Sequence, residues 1–247
     1  AETFDEYPED RVIMPPRSIE DMKDIPQGRY EITEANMWLW EGMVESMKQD
    51  PNNYRGSIRA YQACATFADS QVGRLLDALD ASGRRDNTII VLWSDHGMHI
   101  GEKQHWEKFT LFEESTRVPL MFIVPGLTRA GLTCNRPVSL LDVYPTLNEL
   151  CGLPGRDDLD GESLVPLLKN PAAKRERPAI TTWGRDNHSV RTLRWRYIHY
   201  ANGSEELYDH QADPDEFTNL VSSQPEKSGP IVDQLKKWLP AANRNGK

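Results

Sequence analysis

The sequence has none of the gross features that mark membrane, nucleic-acid-binding or disulfide-rich proteins. No apolar run approaches the roughly 18–20 residues of a membrane span. The net charge is −9 and the basic residues form no block, which argues against a nucleic-acid partner. The three cysteines, Cys64, Cys134 and Cys151, form no CxxC pair, so neither a disulfide framework nor a thiolate zinc site is indicated. We expect all three thiols to be buried as small apolar side chains.

Hydrophobic periodicity places a long helix and two buried strands in the middle of the chain. Apolar residues at three- and four-residue steps between 61 and 79 predict the helix, and Gly83 is its expected C-cap. The runs NTIIVLWS (87–94) and VPLMFIVPG (118–126) are continuously apolar, which is typical of parallel strands covered on both faces. A doubly wound sheet normally has more strands than two, so this α/β layer looks incomplete. Further helices are predicted at about 33–48, 140–150 and 164–169.

The two ends of the chain have a different character. Residues 1–55 are acidic, proline-rich and weakly periodic, which predicts an irregular segment that wraps round the body. After Pro178, short alternating runs and the Asn202-Gly203 turn predict a small antiparallel sheet, followed by a helix at 230–239 that starts near Ser228 and Pro230. We therefore predict an α/β unit with a mostly parallel sheet over residues 1–177 and an antiparallel α+β subdomain over residues 178–247.

Ionisable residues crowd the segment directly after the first strand, SDHGMHIGEKQHWEK (94–108). In open parallel sheets, ligands bind beyond the carboxyl ends of the strands. Asp95 and His96 stand at that position, and Gly97 allows a sharp turn. An aspartate oxygen and a histidine nitrogen can together hold a metal. The alternative is that Asp95 caps the next turn with His96 as its partner.

Several spaced motifs follow one another in a characteristic order. They are Ser94-Asp95-His96-Gly97, Gly101-Glu102, Trp106-Glu107-Lys108, Phe109 and Phe112, Arg117-Val118-Pro119-Leu120, and Pro125-Gly126. This frame, with its flanks, covers about residues 54–221 and resembles the sulfatase family of the alkaline-phosphatase superfamily. The similarity is strongest to the branch that contains choline sulfatases and iduronate sulfatases.

The resemblance implies a sulfatase-type sandwich fold and a sulfuric ester hydrolase activity. It implies that Asp95 and His96 bind a divalent cation, usually Ca²⁺, and that Lys108 contacts the sulfate ester. A metal and a fixed ammonium can both stabilise the negative charge that grows during ester cleavage. Calcium prefers oxygen ligands, so the nitrogen ligand His96 is compatible with metal binding but leaves the identity of the metal open. We interpret Lys103, five residues before Lys108, as a solvated side chain.

The other ionisable residues near these motifs are candidates for substrate contact or for purely structural roles. His99 and His105 lie in the same loop and are candidate substrate contacts, with structural histidines as the alternative. His188 is a third candidate, because the family folds the antiparallel part near the mouth of the active site. The remaining side chains are interpreted as structural or surface groups: His199, His210, Glu113 and Glu114.

The chain carries no nucleophile of the family type. Such sulfatases make a formylglycine from Cys or Ser in a Cys/Ser-x-Pro-x-Arg motif, which is absent from these 247 residues. The family places that motif in its N-terminal half, so the resemblance implies a C-terminal portion, inactive alone, that needs an N-terminal chain or segment as its partner. The resemblance also implies a periplasmic, secreted or lysosomal location. Alternatives are a phosphate or phosphonate ester hydrolase of the same superfamily and a non-catalytic remnant.

Overall fold

The computed structural model describes residues 2–16 and 20–241. Its helices are α1 Glu2–Asp5, α2 Gln27–Thr33, α3 Met37–Gln49, α4 Asn52–Ala81, α5 Glu113–Thr116, α6 Val143–Leu150, α7 Val165–Lys169, α8 Leu220–Ser223 and α9 Pro225–Leu235. Its strands are β1 Ile90–Trp93, β2 His99–Ile100, β3 Trp106–Glu107, β4 Leu120–Ile123, β5 Ala179–Thr182, β6 His188–Arg191, β7 Trp195–His199 and β8 Glu205–Asp209. Across these two ranges, no helix combines the length and apolarity of a membrane span.

The long helix α4 is confirmed, and Gly83 follows its last turn with a φ of +68°. Only the first half of α4 packs against other parts of the described chain, where Tyr54 and Ile58 contact Val12 and Trp40. Further along, Leu75 is 72% exposed. The apolar stripe that predicted this helix is therefore only partly buried by the described residues.

Strands β1 and β4 pair with each other, but they run antiparallel. Ile90 faces Ile123 and Trp93 faces Leu120 in this register. The parallel arrangement predicted for the two strands is thus wrong within the described residues. A continuous apolar run predicts cover on both faces, which the described residues do not give to Trp93 and Ile123, and it carries no information about the direction of the neighbouring strand.

The antiparallel sheet after residue 178 is confirmed as a four-stranded meander in the order β5-β6-β7-β8. Its first strand begins at Ala179, beside the predicted boundary, although the domain limits themselves stay a prediction. Helix α9 covers one face through Val232 and Leu235, which contact Tyr197 in the sheet. The helix begins at Pro225, where a proline is tolerated in the first turn, so Pro230, predicted as a start signal, lies inside the helix instead.

Residues 1–55 are more regular than expected. The prediction of an irregular segment is corrected by α1, α2 and α3, of which α1 and α3 lie against α4. Helix α2 instead meets the antiparallel sheet: a Cβ at Gly28 would lie 2.4 Å from Cβ of Tyr200. The segment therefore connects α4 with the sheet, and only a glycine allows that close approach.

The cysteine prediction is wrong. Cys64, Cys134 and Cys151 are all exposed and none forms a disulfide. Their apolar character indicated burial, but Cys64 lies on the open side of α4 and Cys151 follows the end of α6.

Candidate active site

The turn after β1 is fixed by its contacts with α5. The backbone N–H of Gly97 donates to the Ser115 carbonyl at 2.9 Å, and the Ser94 hydroxyl donates to the His96 carbonyl at 2.9 Å. A Cβ at Gly97 would lie only 1.9 Å from the Glu114 carbonyl oxygen. Glycine is therefore required here, and the turn holds Asp95 and His96 in one place.

Asp95, His96 and Lys108 line the same cavity, which has a volume of about 1090 Å³. Nζ of Lys108 lies 3.0 Å from Nε2 of His96, and Oδ2 of Asp95 lies 3.7 Å from the same nitrogen. The structure thus brings together the three residues to which the sequence assigned the metal and the ester. Their roles stay predictions.

The hydrogen bonds of His96 determine which ring nitrogen carries its proton. Nδ1 lies 2.8 Å from the Gly97 carbonyl oxygen, which can only accept, so Nδ1 is the protonated nitrogen of the neutral ring. The Nε2 lone pair then faces Lys108 and Asp95 in the cavity. Metal-binding histidines commonly donate their second ring N–H to a backbone carbonyl, so this ring is oriented as a ligand would be.

The cavity wall carries more positive than negative groups, although the chain as a whole is acidic. Its charged lining residues are Lys108, Arg117, Arg136, Arg191, Arg196, Asp95 and Glu113. Five of these are cationic and two are anionic, against a net charge of −9 for the chain. Arg191 and Arg196 pair with carboxylates, so the positive excess that attracts anions comes from Lys108, Arg117 and Arg136 against Asp95.

Arg196, a buried residue of the cavity lining, is the centre of an ion-pair network. Its guanidinium pairs with Glu113 and Glu216, and Glu216 also binds His210 at 2.7 Å. Burial opposes ionisation of Glu216, but the neighbouring Arg196 and His210 outweigh it and lower the pKa to about 2. Glu113 is therefore not the surface charge predicted from the sequence, because β6 and β7 supply arginines to it.

Glu113, His210 and Glu216 are close enough to form a candidate metal cluster, with ligand atoms within 4.8 Å of one another. Both carboxylates already pair with the guanidinium of Arg196, and Glu113 also pairs with Arg191. A cation at the same place would lie against this permanent positive charge. The contacts therefore favour an ion-pair network over a metal site.

Lys103 is not solvated, contrary to the sequence interpretation. Its side chain is 1% exposed, and Nζ lies 2.5 Å from Oδ1 of the equally buried Asp21. Nζ also donates to the Glu216 carbonyl and lies within 6 Å of three aromatic ring centres. A lysine in a polar loop looks exposed in sequence, and its partner 82 residues away leaves no local signal.

The three candidate substrate histidines hydrogen-bond to residues that line the cavity, namely Lys108, Thr110 and Thr182. His99 and His105 are fully buried, and burial is the main cause that lowers the pKa of His105 to about 4. Nδ1 of His188 lies 2.9 Å from the Thr182 hydroxyl, and the His188 ring is also buried. None of the three lines this cavity, and direct substrate contact by them stays a prediction.

Sequence reasoning missed an aromatic pair at the cavity wall. The rings of Phe109 and Trp183 are 4.8 Å apart, and Trp183 donates its indole N–H to the Ile32 carbonyl. Nζ of Lys108 lies 5.3 Å from the Phe109 ring centre. Trp183 is 74 residues from Phe109 and follows β5, so only the folded antiparallel sheet reveals this contact.

Sequence patterns of known families identify the chain. The pattern described as Sulfatase matches residues 13–153, and the pattern described as N-sulphoglucosamine sulphohydrolase, C-terminal, matches residues 101–245. The chain belongs to the sulfatase family. A Sulfatase from Formosa agariphila is 39% identical over 241 residues, which are 97% of this chain and 46% of that protein. A Choline-sulfatase from Rhizobium meliloti is 38% identical over 179 residues, 69% of this chain and 34% of that protein.

Solved sulfatase-type structures confirm the α/β fold class. A 2-O GAG sulfatase superposes with a TM-score of 0.73 at 26% identity, over 92% of this chain and 51% of that one. A phosphonate monoester hydrolase of Agrobacterium radiobacter superposes with a TM-score of 0.67 at 26% identity, over 75% of this chain and 41% of that one. This sulfatase chain thus spans about half or less of the length of the relatives that it matches. Members of the family are hydrolases that generally use a metal.

Proposed function

We propose that this sulfatase chain provides the distal half of a site that hydrolyses sulfate monoesters. In this proposal Lys108 contacts the ester, and Asp95 and His96 hold a divalent metal. The observation that supports it most directly is the meeting of these three side chains in a cation-rich cavity. A sulfate monoester is an anion, and a half-buried ammonium stabilises its charge more than an ammonium in open water does.

The local geometry fits a metal at Asp95 and His96. Nδ1 of His96 is committed to a carbonyl, and its Nε2 lone pair points into the cavity beside the Asp95 carboxylate. A bound divalent metal would supply additional positive charge to the ester oxygens. Nζ of Lys108 now lies against this lone pair, so with a metal held there the Lys108 ammonium would be available to the ester. Ca²⁺ is our first candidate from the family resemblance, although the imidazole also suits transition metals.

The nucleophile and the remaining metal ligands would come from an N-terminal chain or segment of the same protein. Support comes from the apolar side chains that the described residues leave open on neighbouring elements. These are Phe67 and Leu75 on α4, Trp93 on β1, and Met121 and Ile123 on β4, each at least 44% exposed. Exposed apolar side chains on a pair of adjacent strands, such as β1 and β4, often mark a surface that binds a partner. We propose that this partner carries the formylglycine, that the 247-residue chain is inactive alone, and that the protein is periplasmic, secreted or lysosomal.

Hydrolysis of phosphonate or phosphate esters is the second candidate. One similar solved structure is a phosphonate monoester hydrolase. Both ester classes present a tetrahedral anion, and the cavity charge attracts either. A non-catalytic role is the third candidate, and it predicts no turnover in any form of the protein.

The experiment compares the full-length gene product with the 247-residue chain, using 4-nitrophenyl sulfate and a 4-nitrophenyl phosphonate ester as substrates. We expect the full-length protein to prefer the sulfate ester, and Asp95→Ala to abolish turnover that added Ca²⁺ does not restore. Preference for the phosphonate would select the second candidate. Absence of turnover with both esters would refute the enzyme proposal, and turnover by the isolated chain would refute the need for a partner.

A further inference from the structure

Two buried histidines contact the segment that carries Lys108. Nε2 of His105 lies 2.7 Å from the Lys108 carbonyl oxygen, and Nε2 of His99 lies 2.7 Å from the Thr110 hydroxyl. The two imidazole rings pack edge to face with their centres 5.2 Å apart. They therefore bind the chain on both sides of Phe109.

The backbone of this segment adopts conformations that L-residues rarely take. Glu107 has a φ of +86° and Phe109 a φ of +76°, so both neighbours of Lys108 are in the left-handed region. Such conformations are unfavourable for L-residues and persist only when the surroundings enforce them. The hydrogen bond from His105 to the carbonyl between them is a direct means of enforcement.

The proton of His105 must be on Nε2. The Lys108 carbonyl can only accept, so Nε2–H is the donor. Nδ1 of His105 is buried and has no hydrogen-bond partner within the described residues. Burial lowers the pKa of this ring to about 4, so the ring remains neutral with a single proton near neutral pH.

We propose that His105, supported by His99, is a positioning residue that fixes the backbone of Lys108 and so directs its ammonium into the cavity. This inference rests on the proposed function of Lys108, and it replaces direct substrate contact by His105 with an indirect role. His99 adds a second attachment, because its partner, the Thr110 hydroxyl, also lies 2.9 Å from the Ser115 hydroxyl. Ser115 in turn receives the Gly97 amide, which links the Lys108 segment to the turn that carries His96.

The hydrogen bond can be observed directly in the 247-residue chain. Lys108-Phe109 is the single Lys-Phe pair in the sequence, so ¹³C-carbonyl lysine combined with ¹⁵N-phenylalanine gives one backbone NMR correlation from this peptide. We expect His105→Leu to move that Lys108 carbonyl resonance upfield. His105→Gln should restore it, because the glutamine amide nitrogen reaches the position of Nε2, whereas His105→Asn places its nitrogen at the position of Nδ1 and should not. An unmoved resonance in His105→Leu would overturn the proposal.

The functional arm uses the full-length gene product and 4-nitrophenyl sulfate. A misplacement of about 1 Å in a catalytic group costs up to roughly a hundredfold in rate, so we expect His105→Leu to lower kcat by about ten- to a hundredfold with little change in KM. His105→Gln should recover most of that loss and His105→Asn should not. His199→Leu, on β7 outside the cavity, is the matched control and should keep its kcat.

The two arms separate the possible failures. If the resonance moves but kcat and KM stay normal, the positioning role is wrong while the proposed function stands. If the unmodified full-length protein hydrolyses no ester, the proposed function fails, and with it the catalytic meaning of the inference. Equal loss of kcat in the Leu, Gln and Asn variants would indicate a packing role for the ring and would also refute positioning by the hydrogen bond.

Discussion

Lys103→Met should strongly destabilise the chain, because it leaves the Asp21 carboxylate buried without its counter-ion. The side chains of Asp21 and Lys103 are 3% and 1% exposed, and their charged atoms are 2.5 Å apart. Burial raises the pKa of Asp21 while Lys103 opposes that rise, so the carboxylate depends on the ammonium. Removing one member of such a pair typically costs about 3–5 kcal/mol. Methionine keeps most of the apolar stem, so this cost reports the charge.

A double variant that removes both charges tests the same reasoning more closely. In Lys103→Met with Asp21→Leu no unpaired charge remains, and the main loss is the hydrogen bond to the Glu216 carbonyl, which costs about 1–3 kcal/mol. The double variant should therefore be more stable than the single one. Urea unfolding followed by far-UV circular dichroism measures both, with Lys48→Met as the exposed control, expected to change stability by less than about 0.5 kcal/mol. A cost of Lys103→Met as small as that of the control would show that the buried pair does not form.

Three further predictions concern the cavity and its surroundings. In the chain joined to its proposed N-terminal partner, Lys108→Ala should lower kcat and kcat/KM together by two to three orders of magnitude, about 3–4 kcal/mol, while the exposed Lys174→Ala leaves both unchanged. A normal kcat for Lys108→Ala in steady-state kinetics would show that Lys108 is not the lysine that contacts the ester. Asp95 and His96 form only part of a coordination shell, so calorimetry should show weak Ca²⁺ binding by the 247-residue chain, and submicromolar affinity would contradict this. Burial raises the pKa of Glu114 to about 8, so between pH 4.5 and pH 8 the folded chain keeps a proton that the unfolded chain releases. The free energy of unfolding should therefore fall over this range, by up to about 1.4 kcal/mol per pH unit. Glu114→Gln should reduce that slope in urea titrations.

The sequence predicted correctly the helices and strands that are determined by residues close together along the chain. The α4 periodicity, its Gly83 terminus and the antiparallel runs after Pro178 were each sufficient for the observed helix, cap and meander. The direction of β4 beside β1 depends on the path between the strands, which no periodicity records.

The same distinction applies to the site. Asp95, His96 and Lys108 lie within 14 residues on one loop, so a spaced motif could predict their meeting. Lys103 has its partner at Asp21 and Glu113 has its partner at Arg196, each more than 80 residues away. An ionisable residue looks like a surface residue until the fold places a counter-ion beside it. Both were therefore misjudged from sequence.

Glu216 makes the antiparallel sheet inseparable from the loop that carries the candidate site. Its carboxylate binds Arg196 of β7, His210 and the Glu113 amide, and its carbonyl receives Lys103. Division of the gene after residue 177 would therefore place the backbone acceptor of Lys103 and the counter-ion of Glu113 on a separate polypeptide. The predicted subdomain boundary describes a change of architecture along the chain, but it is a poor place to divide the protein for expression or for domain exchange with a relative.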